Sequence, residues 1–145
     1  MKILILFALS ATIFASTKST FLDMTNDSSD EPGLSKEELG RHGWGLLHTI
    51  AAYYPEDADA AYLAMTYQWL EDFALLYPCP MCAKHFQALL ADNPPDFQTR
   101  DELVIYICNL HNAVNKDLDK DLLECTLYNM YLLWGGDTCP CENSL

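Results

Sequence analysis

From residue 34 onward, apolar positions recur every three or four residues, the period of helices that bury one face, and no stretch alternates as a strand does. Ser35-Lys-Glu-Glu38 is a capping box. It opens a helix carrying Leu39, Trp44, Leu47, His48 and Ala51 on one side and stopping before Tyr54-Pro55, since a residue preceding proline avoids helical geometry. A second helix runs from about Ala58 to Leu76, with Tyr62, Met65, Trp69 and Phe73 at helical spacing, until Tyr77-Pro78 ends it. Pro80 fits the first turn of a third, which continues through Phe86 and Leu90 to Pro94-Pro95. Thr99-Arg-Asp-Glu102 is a second capping box, starting a fourth helix with Leu103, Tyr106, Ile107, Leu110 and Val114. A fifth, from about Asp121 to Trp134, stops at Gly135-Gly136. The pattern predicts an all-α fold: a four-helix bundle plus a short fifth helix.

The chain before residue 34 reads differently. Lys2 is followed by an almost unbroken apolar run from Ile3 to Phe14, with Ile13-Phe14-Ala15 as a cleavage site, so residues 1–15 are expected to be a signal peptide. The run is shorter than the roughly 18 apolar residues of a spanning helix, and an uncleaved signal anchor is the alternative. Residues 16–33, polar and containing Pro32-Gly33, are expected to be a flexible linker; Asn26-Asp27-Ser28 within it is a glycosylation acceptor. Residues 34–136 then form one domain, and 137–145 a mobile tail. The tail ends Glu-Asn-Ser-Leu, without a retention signal, so endoplasmic reticulum and secretion both stay open.

The net charge of −13 argues against nucleic acid or an anionic membrane as a partner. Positive charge is scarce, with 8 Lys and Arg in all, yet Lys116 and Lys120 lie one helical turn apart. They point to an anionic ligand such as a pyrophosphate.

Six cysteines in a secretory chain favour three disulfides over free thiols. Cys79-Pro-Met-Cys82 opens the third helix, where free amides and the helix dipole favour a thiolate at Cys79. The couplet is expected to cycle between dithiol and disulfide, with Cys79 meeting incoming thiols; half a zinc site with His85 is the competing reading. Cys139-Pro-Cys141 closes a small strained ring, which makes it easily exchanged and suited to a mobile shuttle. The competing reading pairs each of these two elsewhere as a structural bridge. Cys108 and Cys125 are then left as partners, a brace worth roughly 3 kcal/mol in the chain-entropy model.

On the fourth helix, His111, Asn112, Asn115 and Lys116 share a polar face, followed by Lys120. With Arg41, Trp44 and His48 they supply stacking surfaces, amides and cations for a large aromatic phosphate ligand; zinc and haem are the competitors.

Three blocks resemble the Erv/ALR family of flavin-dependent sulfhydryl oxidases. They are Gly40-Arg41-His-Gly-Trp44-Gly-Leu-Leu-His48-Thr49 with Tyr53-Tyr54-Pro55, Tyr77-Pro78-Cys79-Pro-Met-Cys82-Ala-Lys-His85-Phe86, and Cys108-Asn-Leu-His111-Asn112-Ala-Val114-Asn115-Lys116. The resemblance covers about residues 38 to 125. It implies a bundle with FAD at one end, usually dimeric, with Cys82 against the isoalloxazine ring. The residues it implies around the flavin are Gly40, Arg41, Trp44, His48, Tyr53, Cys82, His85, Phe86, Cys108, His111, Asn112, Val114, Asn115, Lys116 and Lys120, with Tyr131 and Trp134 further along.

A tail Cys-x-Cys with a secretory signal is similar to the endoplasmic-reticulum branch. Two departures stand out: the stretch from Cys125 to the tail couplet is longer than in that branch, and Tyr106 takes the place of a frequent tryptophan. The expected activity is oxidation of dithiol or protein substrates, or of a disulfide carrier, through Cys139–Cys141 and Cys79–Cys82 to FAD and then oxygen, giving hydrogen peroxide. The rivals are a saposin-like binding protein with structural disulfides only, and a thioredoxin-like oxidoreductase, which needs strands that the pattern lacks.

Overall fold

Caps and punctuation account for where each helix begins. In the computed structural model, which describes residues 33–136, α1 (Lys36–Ala52) starts at Ser35, whose Oγ accepts from the Glu38 amide while Glu38 accepts from the Ser35 amide. The helix α2 (Ala60–Leu76) starts two residues later than the pattern alone indicates, because Asp59 is its N-cap and accepts from the Tyr62 amide. Cys79 caps α3 (Pro80–Asp92), and Thr99 caps α4 (Arg100–Asp117) through a second complete capping box. Thr126 caps α5 (Leu127–Trp134). The expected segments 1–15 and 137–145, Asn26, and nearly all of 16–33 lie outside the described residues.

Within residues 34–136, α1 packs along α4 and against α5, α3 lies on α2, and α4 also meets α5. One core joins them: Leu47 and Ala51 from α1, Leu70 and Ala74 from α2, Phe86 from α3, Leu103 and Ile107 from α4, and Met130 from α5. Each large apolar side chain here stabilises by roughly 1.5–3 kcal/mol. Phe97, from the α3–α4 connection, is 1% exposed and plugs the bundle, its carbonyl accepting from Tyr67 Oη at 2.6 Å. No strand occurs among the described residues, and no described helix is long and apolar enough to cross a membrane.

The fifth helix departs from expectation. It begins at Leu127, six residues later than Asp121, because α4 side chains capture the backbone in between. Asn112 Oδ1 accepts from the Leu123 amide at 2.7 Å and Asn112 Nδ2 donates to the Leu123 carbonyl at 2.9 Å. Asn115 Nδ2 donates to the Asp121 carbonyl at 3.1 Å, and Cys125 is bonded to Cys108. Backbone groups held this way are not available to a helical ladder. The reversal out of α4 passes through Asp119, whose φ of 52° is left-handed, and the Lys120 amide then returns to the Asn115 carbonyl at 2.8 Å. Asn112→Ala is therefore expected to cost about 1–3 kcal/mol by leaving the Leu123 amide and carbonyl without a partner. Urea unfolding of the purified variant checks it; an unchanged midpoint contradicts the assignment.

Candidate active site

Four rings from three helices meet in one cluster. Trp44 and His48 stand one turn apart on α1, His111 comes from α4 and Trp134 from the end of α5. Trp44 stacks on His111 with centroids 4.2 Å apart and planes 8° from parallel, and His48 stacks on Trp134 at 4.8 Å and 7°. The two imidazoles join the pairs: His48 Nε2 lies 3.0 Å from His111 Nδ1. One must donate and the other accept, so at least one ring is neutral. Burial, helped by the neighbouring imidazole, pushes His48 from 6.5 down to about 4; burial, helped by the Lys120 charge, pushes His111 down to about 4. The Trp134 indole Nε1 is buried with no hydrogen-bond partner, a donor facing no protein acceptor.

The couplet Cys79–Cys82 is a disulfide at the start of α3, and Cys79 Sγ accepts from the Cys82 amide at 3.4 Å. Both cysteines are half-buried, whereas Met81 between them is 74% exposed, so the turn is open to solvent. Two contacts fix it to α1. Phe86, one turn beyond Cys82, sets its ring edge-on to Trp44 at 5.8 Å, which links couplet to ring cluster. Tyr77, just before it, donates from Oη to the Leu39 carbonyl at 3.0 Å. That tyrosine lies where a Cβ on Gly43 would meet it at 3.2 Å, so glycine there makes room for the close approach.

The remaining expected residues scatter more. Cys108 is buried and bonded to Cys125, which ties α4 to the segment entering α5. Asn112 and Asn115 are brought to the same region, but their amides serve the 121–123 backbone as described. Val114 and Tyr53 are half-buried, Gly40 partly so, and Arg41, Lys116 and Lys120 are exposed. His85 bonds Asp117 at 2.7 Å.

Tyr131, on α5 with Trp134, makes its polar contact with the start of α4. Its hydroxyl donates to Asp101 Oδ1 at 2.6 Å, in the first turn of α4 and ten residues, or about 15 Å, from His111. Burial and that carboxylate push its pKa up to about 12. Cys139 and Cys141 lie outside the described residues. Asp101 and Asp117 were not singled out in the sequence, and Tyr77 and Gly43 entered only as members of longer motifs; the partners of all four are at least 30 positions away, so no local spacing marks these contacts. Among the described residues no three His, Cys, Asp or Glu side chains are placed to hold a metal ion.

Comparison with known proteins gives concordant matches. The family model described as Erv1 / Alr matches residues 41–134. The chain is 37% identical over 117 residues to the FAD-linked sulfhydryl oxidase ERV1 of Oryza sativa subsp. japonica, covering 81% of this chain and 59% of that one. It is 39% identical over 92 residues to the mitochondrial FAD-linked sulfhydryl oxidase ERV1 of Saccharomyces cerevisiae, covering 63% and 49%. The crystal structure of the FAD binding domain of Erv1 from Saccharomyces cerevisiae superposes with a TM-score of 0.66 at 36% identity, covering 72% of this chain and 100% of that one. The chain spans about half to three-fifths of the length of these two curated relatives.

The buried imidazole pair carries a pH signature. Both rings are neutral in the fold, while the unfolded chain protonates them below 6.5, so the unfolded state binds more protons between 6.5 and about 4. Their contribution is complete above 6.5 and is lost as pH falls through that window. Glu38 and Glu102, whose carboxyls are held low chiefly by hydrogen bonds from Ser35 and from the Gln98 amide, act only below 4.5. Urea midpoints are expected to fall from pH 7 to about pH 5, and to fall less in His111→Gln. Equal losses in both proteins contradict the assignment.

Proposed function

The chain belongs to the Erv1 / Alr family, and on that footing we propose that it is an FAD-dependent sulfhydryl oxidase that forms disulfides in dithiol substrates. The observation that carries this reading is an open disulfide, Cys79–Cys82, coupled through Phe86 and Trp44 to a buried ring cluster. The residues present fit a flavin nucleotide. Trp44, His48, His111 and Trp134 offer flat faces, the unpartnered Trp134 Nε1 offers a donor, and Arg41, Lys116 and Lys120 offer charge for the pyrophosphate. Gly40, Tyr53, Cys82, His85, Phe86, Cys108, Asn112, Val114, Asn115 and Tyr131 complete the proposed lining. FAD, when bound, takes up the electron pair and passes it to oxygen, giving hydrogen peroxide.

The chain's own part is thiol chemistry. A substrate dithiol reduces Cys139–Cys141, which in turn reduces Cys79–Cys82, within one subunit or between two. Cys79 meets the incoming thiolate, and the start of α3 stabilises negative charge on it. Cys108–Cys125 takes no part and braces α4 to α5. Overall, two thiols and one oxygen molecule give one disulfide and one hydrogen peroxide. The proposed partners are thiol-bearing proteins or a disulfide carrier, with no nucleic acid.

Two further proposals concern setting. The composition of residues 1–15 supports entry to the secretory pathway, with the endoplasmic reticulum lumen as destination and secretion as the alternative. The yeast relative named above is mitochondrial by name, so the compartment rests on that segment alone. A homodimer is supported by an apolar groove between α1 and α2, lined by Leu39, Leu46, Trp69, Phe73 and Leu76, with Leu46 52% and Leu76 77% exposed.

Purified protein is expected to be yellow and to consume oxygen with dithiothreitol. Cys82→Ser is expected to abolish turnover, whereas Cys139→Ser keeps dithiothreitol oxidation and loses oxidation of a protein dithiol. A colourless, folded, inactive protein sinks the oxidase reading. Sedimentation is expected to show a dimer that Leu46→Glu converts to monomer; a wild-type monomer sinks the assembly proposal alone.

A further inference from the structure

Asp117 ends α4, where unpaired carbonyls and the negative end of the helix dipole disfavour a carboxylate. Its Oδ2 nevertheless accepts from His85 Nε2 at 2.7 Å, across 32 residues of sequence. The two side chains are 52% and 38% exposed, and a pair that open adds little stability. What the bond does is orient. A carboxylate only accepts, so it holds the proton on Nε2 and leaves Nδ1 as the basic nitrogen of the neutral ring. Among the described residues Nδ1 has no hydrogen-bond partner. His85 lies three residues beyond Cys82, on the same face of α3 and about 5–6 Å from it at Cβ. The other polar tie from α4 to α3 sits at the far end, where Tyr106 donates to the Asn93 carbonyl at 2.8 Å, and so does not aim this ring.

We propose that Asp117 is a positioning residue that holds His85 as the proton-transfer group of the Cys79–Cys82 couplet, a role that rests on the oxidase reading above. An incoming thiol gives its proton to His85 Nδ1 and its sulfur attacks Cys79. A bond forms between those two sulfurs, the Cys79–Cys82 bond breaks, and the electron pair leaves on Cys82. His85 returns its proton to that thiolate, so the ring ends as it began. The second substrate thiol then closes on the first, expelling Cys79, which takes the remaining proton. One disulfide forms in the substrate and one opens in the couplet, with two electrons and two protons transferred. During the step the Asp117 carboxylate faces the ring while it is positively charged, the arrangement that steadies an imidazolium.

The test uses full-length, FAD-loaded protein, mixed anaerobically with dithiothreitol, quenched, alkylated and weighed by mass spectrometry at Cys79 and Cys82. Asp117→Asn is expected to slow couplet opening about tenfold or more, Asp117→Glu to recover most of it, and His85→Gln to slow it at least as much. Nitrogen-15 shifts are expected to show His85 protonated on Nε2 in the wild type and not uniformly so in Asp117→Asn, with melting temperatures alike. Wild-type opening rates in both Asp117→Asn and His85→Gln overturn the proposal alone, as does a wild-type His85 protonated on Nδ1. A wild-type couplet that dithiothreitol leaves closed overturns the oxidase reading and the proposal together.

Discussion

Two imidazoles that stand 63 positions apart in the chain, His48 on α1 and His111 on α4, share a proton across 3.0 Å in a buried place. The bond exists only while the rings together carry one proton for that gap; two charged rings would both donate and repel. Burial enforces the neutrality, and a tryptophan stacked on each ring supplies much of that burial. Much else follows from this pair. It fixes how α1 lies along α4, it requires α5 to arrive with Trp134 over His48, and it leaves Trp44 with an edge for Phe86 and hence for the redox turn. The disulfide brace and the two asparagines that hold residues 121–123 bring α5 to that position.

Much of this was legible in the sequence because it is local. Capping boxes at Ser35 and Thr99, prolines after Tyr54 and Tyr77, and glycines after Trp134 are short-range signals, and the helices follow them. The couplet at the start of α3 followed from Pro80 in its first turn, and the grouping of Trp44 and His48 with His111 from their shared ligand chemistry. What escaped is long-range. The pattern from Asp121 onward is apolar enough for a helix, but Asn112 and Asn115 outbid it for the backbone. Tyr131 sits one turn before Trp134, and helical spacing does not say that its hydroxyl finds Asp101, 30 positions away. Nor does any window contain both His85 and Asp117.

Several local rules are broken around the proposed site. A carboxylate stands at the wrong end of α4, an indole N–H is buried without an acceptor, and a methionine is held out in water between two reactive sulfurs. Elsewhere the exceptions are few among the described residues, the unpartnered buried Tyr54 hydroxyl and the left-handed Asp119 among them, on capped helices around one core. Exceptions beside the couplet and the ring cluster agree with the function proposed for them.

The start of α3 has one further consequence. Its capping atom is a sulfur that is also half of the exchangeable bond, and the amide of Cys82 already points at it. A helix start accommodates a neutral disulfide sulfur or a thiolate in the same place, the second more firmly than the first. Under the proposed function, the same backbone then serves the couplet in both oxidation states. On the oxidase reading, a cap that serves both oxidation states keeps the reorganisation at the start of α3 small in each cycle.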